Sequence, residues 1–347
     1  MEEKCERGGR HTEKSSINQE KFSEKNGSMK EIGGYIEFEK YEGKMLHEDG
    51  ILLNCGRSCL AYLIVARKIK KIAMPYFMCD SIFRVCRKHG VQIRFYHINK
   101  DLRPEDIHLD KNEWFYLMSF YGQMAVEEIE GIGEKYKRVI VDFTHDYFHE
   151  PIGGLDTLYT CRKFFGVSDG AVLYTDAEKI ENLETDESYG RIRHLCGRFE
   201  RTALEFYTES SANNKFFDEE PIKKMSKLTF NLLHGIDYKK ACERRTQNFA
   251  CLHRRLEGMN GLKLRITKGA YAYPLLVKGG ARIRKLLVKE HIYVATLWPN
   301  IIGDMPKESM EYYLAENILP LPCDHRYDLT DMEYMAEMVE RMAASAL

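Results

Sequence analysis

The chain has 347 residues, with 52 basic and 53 acidic side chains and a formal net charge of -1. That balance leaves no global field to draw in nucleic acid or an anionic membrane surface, so a small-molecule partner is expected. Ten cysteines are scattered without a C-x-x-C pair or a Cys/His cluster, and no apolar run reaches the ~20 residues needed to span a bilayer. With no secretory leader, no metal site and no need of disulfide staples at this size, the chain is predicted to be cytoplasmic.

Residues 1–30 are rich in Glu, Lys, Ser, Asn and Gly and carry few large apolar side chains. They cannot repay the entropy of ordering and are predicted to form a disordered tail. Met29 opens the first stretch with structured character, so residues 1–28 read equally as an upstream extension of the coding start.

Residues 31–225 alternate short apolar runs with amphipathic segments, the pattern of repeated βαβ units in a large α/β domain. Strands are predicted at 71–74, 91–96, 114–118, 139–141 and 170–174, with helices at 58–70, 81–89 and 126–136 between them. This order favours a mostly parallel central sheet with helices on both faces. Residues 226–347 are predicted to form a linking helix over 226–258 and a smaller α+β domain. That domain is expected to hold strands at 273–277 and 293–296 and helices at 281–289 and 332–344.

The apolar run Val139-Ile140-Val141 ends in Asp142. A buried parallel strand would deliver that carboxylate to the sheet edge where open α/β folds bind their ligands, although a turn or cap residue is the plain alternative. His145 follows three residues later. Lys163 lies between Tyr159-Thr160 and Phe164-Phe165, where burial would favour the nucleophilic free amine over an ordinary surface ammonium. Thr160 can offer its hydroxyl to a phosphate, and Arg162 can add charge there or form an outward ion pair. Gly56, Arg57 and Ser58 open a predicted helix whose N-terminus suits a phosphate, though Ser58 reads equally as a simple cap. Together these residues suggest pyridoxal 5′-phosphate (PLP), which needs a lysine amine for its Schiff base and an acid to keep its ring nitrogen protonated.

With these residues in place, the chain from about Gly33 to its C-terminus resembles the DegT/StrS-type sugar aminotransferases, PLP enzymes of fold type I. Gly33-Gly34-Tyr35 resembles the family's opening segment, Cys55 to Leu60 its phosphate-binding turn, and Phe120-Tyr121-Gly122-Gln123 a family hallmark. Val139 to His145 is similar to its Asp-bearing strand, Thr160 to Gly170 to its Schiff-base segment, and Met225 to Leu228 to the start of the helix into the small domain.

The resemblance implies Lys163 as the Schiff-base amine and proton-moving base, Asp142 as partner of the pyridinium nitrogen, and His145 where the family commonly has Gln. It also implies a homodimer that takes an amino group from an amino acid, generally glutamate, and gives it to a keto-sugar nucleotide in surface polysaccharide or related glycan synthesis. Cys79 stands where the family places a ring-stacking aromatic, with Phe77 or Tyr76 as substitutes, and the Asn-Tyr-Arg segment before the small-domain helix is missing. Tyr121 and Arg326 are candidate substrate residues, the latter for a carboxylate, with an exposed turn as the alternative for Arg326. Dehydration on the same scaffold is opposed by Lys163, which that branch replaces with His. The remaining alternative is a catalytically altered protein of this fold that serves as a binding or regulatory subunit.

Overall fold

The computed structural model describes residues 32–346, so the expected tail over 1–30 lies outside the described residues. The described residues fall into two units, 32–40 and 41–346. The first carries no helix or strand.

The second unit is built on a seven-stranded sheet in the order β1-β7-β6-β5-β4-β2-β3. Its strands are β1 (Ile51–Leu53), β2 (Lys71–Pro75), β3 (Gln92–Tyr96), β4 (Trp114–Met118), β5 (Val139–Asp142), β6 (Asp156–Thr160) and β7 (Ala171–Tyr174). Pairings β2/β3, β2/β4, β4/β5 and β5/β6 are parallel, while β7 is antiparallel to both β6 and β1. Six strands therefore run one way and β7 alone runs against them, as the expected mostly parallel sheet requires. The all-buried pattern of β5 explains why it reads as a continuous apolar run rather than an alternating one.

Helices α1 (Gly56–Ala66), α2 (Asp80–Lys88) and α3 (Val126–Tyr136) connect these strands. α1 starts two residues before the predicted 58–70 and stops at Ala66, because Lys68 adopts φ 54° and breaks the helical path. β6 escapes the sequence pattern because it is polar yet wholly buried. Asp156 repays that burial by accepting from Arg67 Nη2 at 2.7 Å and from Thr175 Oγ1 at 2.6 Å. Between β7 and residue 226 lie two helices the periodicity does not announce, α4 (Arg193–Glu200) and α5 (Tyr207–Phe216).

The expected linking helix over 226–258 is two helices, α6 (Lys227–His234) and α7 (Tyr238–Leu256). The chain turns at Gly235, and Asp237 caps α7 by accepting from Lys240 N at 2.9 Å. There follow β8 (Ala272–Leu276), α8 (Gly280–Lys289), α9 (Pro299–Asp304), α10 (Met310–Asn317), β9 (Ile318–Pro322) and α11 (Leu329–Ala346). Residues 293–296 form no strand. β8 instead pairs antiparallel with β9, whose two prolines hide it from a propensity reading. The register sets Pro274 opposite Pro320, tolerable in a two-stranded ribbon because both strands are edges.

The larger core packs the seven-stranded sheet against its helices and also takes in Leu276, Trp298, Ile301 and Leu314 from the C-terminal third. A second core joins α7, β8, α8, β9 and α11 through Phe249, Leu252, Tyr273, Leu287, Leu319 and Val339. Each of these fully buried side chains contributes about 1.5–3 kcal/mol. No helix among the described residues is long and apolar enough to cross a membrane.

Candidate active site

Because β1, β5 and β6 share one direction, their C-terminal ends open at one edge of the sheet. That edge gathers the N-terminus of α1, Asp142 at the end of β5, and the turn Cys161–Lys163 that follows β6. The topology alone thus brings together residues that lie about a hundred positions apart.

Asp142 is buried and accepts from Tyr116 Oη at 2.7 Å and from its own turn, Thr144 N, at 2.8 Å. Burial pushes this carboxyl above its ordinary range, while Thr144, Tyr116 and the nearby Lys163 pull it back. Both hydrogen-bond donors are neutral. A buried carboxylate so arranged favours a cationic group placed against it.

Lys163 Nζ lies 3.0 Å from Nε2 of the wholly buried His145 and 5.3 Å from the centre of the Tyr271 ring. The imidazole stacks on Tyr271 at 4.4 Å and 10°, and faces Trp298 at 5.7 Å and 18°. Its Nδ1 accepts from the backbone N–H of Tyr121 at 3.4 Å. Burial lowers the basicity of both His145 and Lys163, the latter against Cys79 and Asp142, which favour its charged form.

Helix α1 has no side-chain cap at Cys55, so its first N–H groups remain available. A Cβ at Gly56 would lie 2.9 Å from Thr160 Oγ1, so only glycine lets this helix end approach that hydroxyl so closely. Thr160 Oγ1 is also 3.2 Å from Thr144 Oγ1. Unpaired amides, two hydroxyls and a close-approach glycine make a cradle of the kind a phosphate monoester fills. The donor set fits PLP: Lys163 for its aldehyde carbon, Asp142 for its ring nitrogen, and the α1 terminus with Thr160 for its phosphate.

Other predicted site residues are engaged differently. Ser58 Oγ donates to Asn54 Oδ1 at 2.6 Å, and Arg57 pairs with Asp218 at 2.7 Å. Arg162 donates to Asn214 Oδ1 at 2.5 Å and lies over the Phe217 ring. Phe77 is buried edge-on to Trp298 at 4.6 Å, whereas Cys79 Sγ sits 3.1 Å from Ser81 Oγ. Tyr121 is buried at φ 55°, the conformation that turns its N–H toward His145. Its neighbour Gly122, at φ 65°, packs so closely that a Cβ would lie 3.0 Å from Asp146 Cγ. Gln123 binds Arg265 N and Thr267 Oγ1, tying this turn to the chain before β8. Arg326 donates through Nε and Nη2 to Asp324, at 2.7 and 2.8 Å, so one edge of its guanidinium is held by this neighbour.

Tyr116, Thr144 and Tyr271 are absent from the sequence reading of the site. Thr144 lies within the Asp-bearing segment and could have been found there, but Tyr116 and Tyr271 carry no local signal. Arg245 is another such residue. Only 1 % exposed, it donates to Phe164 O at 2.8 Å, Ala270 O at 3.1 Å and His325 Nδ1 at 3.2 Å, pinning the segment after Lys163 to α7. Arg245→Met leaves these acceptors unpaired and is expected to cost about 3 kcal/mol in denaturant unfolding.

Asp146 is buried with Oδ2 unpartnered, and burial raises its carboxyl to about 6 against the pull of His149 and Arg265. The folded protein therefore holds this proton more tightly than the unfolded chain, whose carboxyl titrates near 3.9. Stability from this group is present below the unfolded value and is lost as pH rises toward 6. Asp146→Asn is expected to remove that slope. It should gain about 3 kcal/mol over wild type at pH 7 and converge with it near pH 4, as read from urea melts.

No protein-family model matches the chain, and no curated protein matches it in sequence. Solved structures do. NtdA from Bacillus subtilis, with its cofactor PMP bound, superposes with a TM-score of 0.61 at 14 % identity over 85 % of this chain and 73 % of its own. A DegT DnrJ EryC1 StrS aminotransferase from Brucella abortus gives 0.56 at 11 % identity, over 84 % and 85 % of the two chains. DesI, in the presence of its TDP-sugar product, gives 0.57 at 12 % identity, over 85 % and 80 %. The chain has the fold of these aminotransferases. In this chain β7 runs antiparallel to β6 and carries the backbone back across the sheet after the Lys163 turn.

Proposed function

We propose that the chain is a PLP-dependent aminotransferase that moves an amino group from an amino acid, glutamate being the expected donor, to the keto carbon of a sugar nucleotide. One observation carries this reading: the Lys163 amine, held 3.0 Å from His145, shares a sheet edge with a buried carboxylate that has only neutral donors. The fold shared with DesI, solved in the presence of its TDP-sugar product, supports the acceptor class. We place the work in the cytoplasm, in surface polysaccharide or related glycan synthesis. We assign a homodimer, a cofactor domain over 31–225 and a small domain over 226–347.

When bound, PLP supplies an electron-poor ring that takes up the electron pair released at the substrate carbon. Asp142 holds the proton on the ring nitrogen by setting a fixed negative charge beside it. Lys163 takes the proton from the donor carbon and returns it where the amino group is to stay. Tyr271 lies beside that amine and stacks on His145, whose other neighbour is Trp298. The uncapped α1 terminus and Thr160 would hold the phosphate.

Purified protein loaded with PLP should show the visible band of a lysine-bound cofactor and lose it when glutamate is added. A band that no amino donor moves would favour the binding or regulatory subunit, and no band at all would end the cofactor reading.

A further inference from the structure

We infer that His145, fixed as its Nε2–H tautomer, holds Lys163 as the uncharged amine in the cofactor-free protein, ready to condense with the cofactor. This deepens the reading of Lys163 as the cofactor amine and rests on it.

The argument starts from the one group in the network with no choice. A backbone amide can only donate, and Tyr121 N–H points at His145 Nδ1 from 3.4 Å. Nδ1 must therefore present its lone pair. A neutral imidazole then carries its single proton on Nε2, 3.0 Å from Lys163 Nζ. An ammonium at Lys163 has only protons to offer, so it would need a bare Nε2 and would push the imidazole proton onto Nδ1, donor against donor with Tyr121. A doubly protonated ring meets the same clash. Only a neutral imidazole facing a neutral amine satisfies both contacts, with Nε2–H donating to the lysine lone pair.

The ring has little freedom to escape this assignment. Tyr271 and Trp298 hold its plane at 10° and 18°, and turning it over would set carbon atoms against both Tyr121 N–H and the amine. The left-handed turn at Tyr121, φ 55°, is what aims the amide at the ring.

Charged and titratable groups around the pair act in both directions. Asp142 on β5 and Cys79 before α2 favour an ammonium, whereas Arg162 beside Lys163 favours the free amine. Tyr271, whose hydroxyl burial pushes up to about 12, stays neutral. Burial outweighs Asp142 and Cys79 at the lysine and keeps the imidazole uncharged.

A Gln amide can turn its oxygen to an ammonium, so it permits the charged lysine that His145 forbids. His145 is thus a positioning residue that sets the charge of its neighbour.

Two measurements test this. In cofactor-free protein labelled with 15N-histidine, the His145 resonances, assigned by their loss in His145→Gln, should show the proton on Nε2 and no titration between about pH 6 and 9. A proton on Nδ1, or a titration in that range, would overturn the inference. The second is the rate at which PLP condenses with the amine, releasing one water, in wild type and in His145→Gln. The ratio of the two rates cancels the aldehyde's own ionisation. It should rise about tenfold for each unit by which pH falls below the variant lysine's pKa, and a ratio independent of pH would overturn the inference. If neither protein forms the band, the cofactor reading fails, and the histidine spectra still decide the tautomer.

Discussion

Lys163→Ala is expected to abolish the visible band of the bound cofactor and to lower amino transfer by about 10⁴-fold or more, since one substitution removes both the nucleophile and the proton-moving base. The fold should survive. Truncation leaves His145 Nε2–H without its partner 3.0 Å away, a cost of about 1–3 kcal/mol. It also removes an amine whose burial opposes its charge. The two effects oppose one another, so the melting temperature should move by only a few degrees. Calorimetry beside the absorbance spectrum checks both halves, and a variant that keeps the band would show that another amine carries the cofactor.

The second large effect separates activity from stability. Asp142→Asn keeps the shape of the side chain: its oxygen can still accept from Thr144 N, and its amide can donate to a Tyr116 hydroxyl that turns to accept. What is lost is the fixed charge beside the ring nitrogen, and amino transfer should fall roughly 10²- to 10³-fold. The cofactor-free protein should not weaken. Because burial raises the Asp142 carboxyl in the folded state, the wild type loses stability as pH rises from the unfolded carboxyl value through the folded one. The Asn variant escapes that loss and should be at least as stable at neutral pH in a urea melt. A variant that keeps full activity would remove Asp142 from the chemistry.

The parts of the fold that could be read from the chain are those in which local pattern and final environment agree. β4 and α3 occupy the predicted residues 114–118 and 126–136 because their apolar spacing is also their burial pattern. Elements stabilised by distant partners could not be read. β6 is a polar strand made acceptable by Arg67 and Thr175, and β9 is a proline-bearing edge that only β8 makes a strand. The same division runs through the candidate site. Asp142 closes an apolar run and Lys163 sits in an apolar segment, so each carries a local sign of its place.

The rings that hold His145 do not carry such a sign. Tyr271 comes from the far side of α7, and Trp298 reaches His145 and Phe77 from the start of α9, at a left-handed φ of 57°. Neither position differs in sequence from an ordinary packed aromatic. Arg326 shows the reverse case. An isolated guanidinium near a polar turn invites a substrate role, yet the carboxylate that takes it is Asp324, two residues away.

The central claim is that one lysine on one sheet edge carries the cofactor. Borohydride reduction of the PLP-loaded protein, followed by digestion and peptide mass mapping, tests this most directly. A pyridoxyl phosphate adduct on the peptide bearing Lys163 is the predicted result; an adduct on a different lysine, or none, would contradict it.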